Sequence, residues 1–110
     1  MYLPVFETAV PKGPYRIGNR VGMLYRDVRS SGPIQYEFIF AVFEGGAKTP
    51  CYCVTSEGTL LAEELGDGSH FLCEFDKELH RNFGDSNEWA DEERFLSKAI
   101  QMMKEHFSNS

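Results

Sequence analysis

The chain has 110 residues, of which 42% are hydrophobic and 25% charged, with a formal net charge of −6. These are ordinary values for a folded domain and exclude a disordered or low-complexity chain, while the acidic balance argues against nucleic acid as a partner. No stretch approaches the ~20 apolar residues of a membrane helix. Residues 1–15 show no basic leader followed by an apolar run, so neither a signal peptide nor a membrane segment is expected. One α+β domain spanning residues 1–110 is the expectation.

The segment from Pro14 to Ser31 alternates, with Tyr15, Ile17, Val21, Met23 and Tyr25 on one side and the basic residues Arg16, Arg20 and Arg26 on the other. Alternation with period two predicts a half-buried strand, in which Gly18 and Gly22 suggest a bulge or bend. A turn at Ser30–Pro33 leads to Ile34–Glu44, IQYEFIFAVFE. This segment begins by alternating and ends apolar at every position, which predicts a central strand covered on both faces. It is expected to pair antiparallel with the strand before it.

Gly45-Gly46 ends that strand, and a short strand follows over Cys51–Thr55. Leu60–Leu65 reads as a short helix between Thr59 and Gly66, although Asp67-Gly68 also fits a hairpin turn. His70–Phe75 is strand-like. Asp76 then suits the cap of a short helix over Lys77–Phe83, closed by Gly84; the alternative is that the strand continues.

The last segment has the strongest periodicity. Trp89, Leu96, Ile100, Met103 and Phe107 form an apolar stripe, widened by Phe95, Ala99 and Met102. Together with Asp85 and Glu88 as a capping box, it predicts one helix from about Ser86 to Phe107. The fold expected is therefore α+β: a mainly antiparallel sheet of about four to five strands against one long C-terminal helix, with one or two short helices.

Three clusters bear on function. Cys51, Cys53, His70 and Cys73 make a C-x-C…H-x-x-C series, but its spacing is not that of structural zinc sites, and buried apolar cysteine is the simpler explanation. No metal or other cofactor is expected. Three cysteines cannot all pair within one chain, which points to free thiols in a reducing cytoplasm. A thiol triad can be drawn from Cys73, either His80 or His106, and either Asp76 or Glu74, but nothing in the spacing requires it.

Arg16, Arg20 and Arg26 are the candidate ligand-binding residues, because guanidinium forks suit phosphate and carboxylate. The competing explanation is a charged surface paired with the acidic second half. Residues 1–50 hold six Lys or Arg and four Asp or Glu, whereas residues 51–110 hold five and thirteen. One helix can cover only one face of a sheet whose central strand is apolar on both. The sequence therefore favours a non-catalytic binding or protein-interaction module, joined into a homodimer through its sheet. A binder of an acidic ligand and a small Cys/His metal protein or thiol enzyme are the alternatives.

Overall fold

Gly18, with φ of +63°, takes a left-handed conformation that costs glycine little. The chain reverses there, so the segment expected to be one strand becomes two. In the computed structural model, which describes residues 7–29, 34–59, 70–76 and 78–108, these are β1 (Thr8–Ile17) and β2 (Arg20–Arg29). They are followed by β3 (Ile34–Glu44), β4 (Tyr52–Thr59), β5 (His70–Phe75) and β6 (His80–Ser86). All six form one antiparallel sheet in the order β1-β2-β3-β4-β5-β6.

The α+β architecture expected from the sequence is present, with six strands among the described residues rather than four to five. The additional strands are β1, split off by the Gly18 turn, and β6, which replaces the short helix expected over 77–83. Asp76 does act as a cap, its Oδ1 accepting from the N–H groups of Glu78 and Leu79 at 2.8 and 2.7 Å. Those bonds close a reversal between strands instead of opening a helix, and the chain returns to pair with β5. The helix read over Leu60–Leu65 lies outside the described residues.

Pro11 and Pro14 fall in β1, an edge strand, where a missing N–H removes no central ladder bond. The opposite edge, β6, is almost wholly exposed. It carries an irregularity at Phe83–Gly84, where pairing passes from Phe71↔Asp85 to Cys73↔Asn82 and Gly84 has φ of +94°. Such a bulge interrupts the regular edge that another chain would extend.

One sheet face forms the main core. Leu24, Phe38, Phe40, Val42, Tyr52, Val54 and Leu72 meet Phe95, Ala99, Met102 and Met103. Gly22 lies within β2 rather than at a bend. A Cβ there would fall 2.1 Å from Phe40 Cζ, so the absent side chain is what admits the Phe40 ring. On the other face Ala41, Cys53, Cys73 and Phe75 form a second cluster, with Tyr25, Phe43 and Phe71 packed around it.

The C-terminal segment is a short 3-10 turn, Asn87–Ala90, followed by α1 (Glu92–Ser108), not one continuous helix. Ser86 caps the 3-10 turn, its Oγ accepting from the Glu88 N–H at 3.2 Å. Asp91 then caps α1, its Oδ2 accepting from the Arg94 N–H at 3.0 Å. Glu92 and Glu93 occupy the first turn, where the helix dipole favours negative charge. Residues Phe95, Ala99, Met102 and Met103 are buried, while Leu96, Ile100 and Phe107 flank them. The buried centre of the stripe is thus rotated toward the positions the sequence placed at its margin.

Candidate functional site

The three arginines singled out in the sequence do not share one face. Arg16 is exposed on β1 and lies opposite Val21, whereas Arg20 and Arg26 are on β2. Alternation places Val21 on the other side of the sheet from Arg20, and Arg16 goes with it. Arg20 and Arg26 share a face but stand roughly 20 Å apart along the strand.

Both of these are engaged inside the chain. Arg20 Nε lies 3.1 Å from Glu44 Oε1, and its guanidinium sits 3.9 Å over the Phe107 ring. Arg26 Nη1 lies 3.2 Å from Glu92 Oε1, and Lys12 Nζ reaches Glu92 Oε2 at 2.9 Å. The Lys12 contact comes first in holding the Glu92 carboxyl below its usual range, and burial opposes it less strongly. Basic residues of β1 and β2 therefore clamp both ends of α1, which is the charge complementarity between the two halves of the sequence.

The cysteine and histidine series also separates. Cys53 and Cys73 belong to the second-face cluster, but Cys51 packs against the main core, so the C-x-C pair is split across the sheet. Cys51 precedes β4, and strand alternation does not govern it. His70 lies elsewhere, its Nε2 3.6 Å from Glu37 Oε2. Among the described residues no three His, Cys, Asp or Glu side chains converge as a metal-ligand set.

Two polar groupings remain, and neither was legible as a unit. The first lies on the second face. Thr55 Oγ1 donates to Glu57 Oε2, and Cys73 hydrogen-bonds the same carboxyl group. Glu57 is only 8% exposed, so these donors replace water that it lost on folding. Burial, followed by the neighbouring Glu57, pushes the Cys73 thiol up to about 12. Burial, followed by Cys51, pushes Cys53 up to about 12 as well. Both thiols are thereby held toward the protonated form.

The second grouping lies at the sheet end where the β3–β4 and β5–β6 connections meet the C-terminus of α1. A cleft of about 560 Å3 is lined by Glu44, Cys51, Asp76, Glu78, Leu79 and His106. His106 stacks on Tyr52 with ring centres 4.4 Å apart, and its Nε2 lies 3.5 Å from Asp76 Oδ2. Burial raises the Asp76 pKa, but the Glu78 and Leu79 N–H groups, His106 and Arg81 together hold it below its usual value. Behind this pair, Tyr52 Oη is 3.4 Å from Glu74 Oε1, and Arg81 Nη2 is 3.3 Å from Glu74 Oε2. Burial first, then Glu74, pushes the Tyr52 hydroxyl pKa upward, so Tyr52 remains a neutral donor.

Of the triad drawn from the sequence, His106 and Asp76 do meet. The thiol that shares their cleft is Cys51, not Cys73. Residues 51, 76 and 106 are too far apart in the chain for spacing to reveal this; the one local signal is Asp76 as a turn cap. No helix among the described residues is long and apolar enough to cross a membrane. No known protein family matches the chain, and no characterised protein or solved structure resembles it at a significant level.

Proposed function

We propose that this chain is a non-catalytic binding or protein-interaction module that self-associates through the second face of its sheet. The observation that carries the reading is the composition of that face. Among the described residues its cluster draws on β2, β3, β4 and β5, and no residue of α1 joins it. Tyr25, Phe43 and Phe71 remain partly exposed around a buried centre of Ala41, Cys53, Cys73 and Phe75. Partly exposed aromatics around an apolar centre are the composition of an association surface rather than of a solvated sheet face.

A second copy meeting the first across a two-fold axis would cover these rings with their own counterparts. The acidic net charge supports a protein partner over nucleic acid, and an odd number of cysteines supports a reducing, cytoplasmic setting. Sedimentation equilibrium at micromolar concentration tests the reading. The expected result is a dimer for the unaltered chain and a monomer for Phe43→Glu, with unchanged far-UV circular dichroism. A monomer in both cases would overturn it.

A further inference from the structure

Each edge strand carries one extra residue, and each extra residue turns a charged side chain onto the second face. In β1 the pairing passes from Lys12↔Leu24 to Tyr15↔Gly22, three residues against two. Regular alternation from Lys12 would set Arg16 on the helix side. The irregularity instead sends Tyr15 into the main core and Arg16 to the second face, opposite Val21. In β6 the passage from Cys73↔Asn82 to Phe71↔Asp85 is again three residues against two. It sets Asp85 on the face of Phe71, where regular alternation from Asn82 would turn it to the helix side.

Both side chains are exposed. Among the described residues neither forms an ion pair or a side-chain hydrogen bond, whereas Lys12, Arg20 and Arg26 are all engaged within the chain. Glu57, also on this face, is buried and accepts from Thr55.

Arg16 and Asp85 stand at diagonally opposite corners. Arg16 is on the β1 edge at the end that holds Val21 and Phe43, and Asp85 is on the β6 edge at the end that holds Glu57 and Phe71. The two edges are roughly 24 Å apart across the strands and the two ends roughly 20 Å apart along them. The pair therefore cannot meet within one copy, and the cluster of Ala41, Cys53 and Cys73 lies between its members.

We propose that the second face receives a second copy across a two-fold axis perpendicular to this diagonal, so that Arg16 of each copy pairs with the partner's Asp85. The arrangement rests on self-association through that face. Such an axis exchanges the ends of the diagonal, and both ion pairs form at once on either side of the apolar centre. The strands of the two copies then cross close to a right angle, one of the two ways in which sheets pack face to face. An axis along the strands would align the sheets and leave Arg16 about 20 Å from the partner's Asp85.

Charge reversal read by sedimentation equilibrium provides the test, with far-UV circular dichroism of each chain as the check on folding. Arg16→Glu and Asp85→Arg are each expected to weaken dimerisation at least about tenfold, because each breaks two symmetry-related pairs and sets like charges opposite. The double reversal Arg16→Glu/Asp85→Arg is expected to return the dimer to within about threefold of the unaltered chain. Mild oxidation of Arg16→Cys/Asp85→Cys supplies a second measurement that needs no charge reversal. Peptide mapping is expected to find position 16 joined to position 85 of another chain, since about 30 Å forbids that disulfide within one copy.

Single reversals that leave the dimer intact, a double reversal without rescue, or a cysteine pair that stays unlinked or joins 16 to 16 would each overturn this arrangement and leave self-association standing. A monomeric unaltered chain would overturn both.

Discussion

The two faces of the sheet solve the same burial problem with different materials. On the helix side, large apolar side chains interlock, as where the Phe38 and Phe95 rings stack 5.4 Å apart and Phe40 fills the space above Gly22. On the other side small and polar residues, Ala41, Cys53, Thr55, Glu57 and Cys73, share the buried centre with Ile39 and Phe75. The first face is held by area removed from water and close packing. The second must satisfy hydrogen bonds as well, because an unpaired buried carboxyl or hydroxyl costs more than the bond it makes. One sheet thus has a face specified by shape and a face specified by polar pairing.

The contrast is sharpest for two phenylalanines. Phe95→Ala, at a fully buried position beneath the sheet, is expected to cost about 3–5 kcal/mol. Phe43→Ala, at the partly exposed rim, is expected to cost roughly 1 kcal/mol in the monomer. Urea unfolding at low protein concentration measures both. Equal losses would mean that the second face is an internal core like the first.

Thr55→Val tests the polar side of the comparison. The substitution keeps the shape and removes the hydroxyl that Glu57 accepts from, leaving a buried carboxyl short of a donor. A loss of about 1–3 kcal/mol is expected, again from urea unfolding. No measurable loss would show that Glu57 draws its stabilisation elsewhere.

The smallest effect is expected at Asp76, outside both faces. Its folded-state pKa is lowered, so its contribution is complete above the ordinary carboxylate value of 3.8 and is lost as pH falls through the folded value. Thermal melts across acid pH are expected to show Asp76→Asn less stable than the unaltered chain near neutrality, with the difference closing below about pH 4. A constant difference at every pH would remove the charge on Asp76 as its cause.

Much of this architecture is legible locally. The strand character of β2 and β3, the double-sided apolar half of β3 and the helical stripe of α1 each follow from burial periodicity, but in β2 the side that α1 buries is the arginine-bearing one, with Leu24 at its centre. The failures are also physical. Asp76 caps a turn or a helix equally well, so its sequence could not reveal that β6 would pair with β5. Asp91 breaks the C-terminal helix because its own side chain caps a new one, and a periodicity spanning 89–107 conceals that interruption. Arg20 and Arg26 read as a ligand face because their partners, Glu44 and Glu92, are 24 and 66 residues away.

Taken alone, the order of residues determined the secondary-structure class, the apolar excess of the sheet and the opposing charge of the two halves. These depend on neighbours within a turn of helix or a few residues of strand. Only the tertiary structure decided which thiol lines the same cleft as His106 and Asp76, which arginines are spent on holding the helix, and which sheet face α1 covers. Each of those results from chain closures across tens of residues, where the packing of the whole sheet sets the distances and local pattern carries no information.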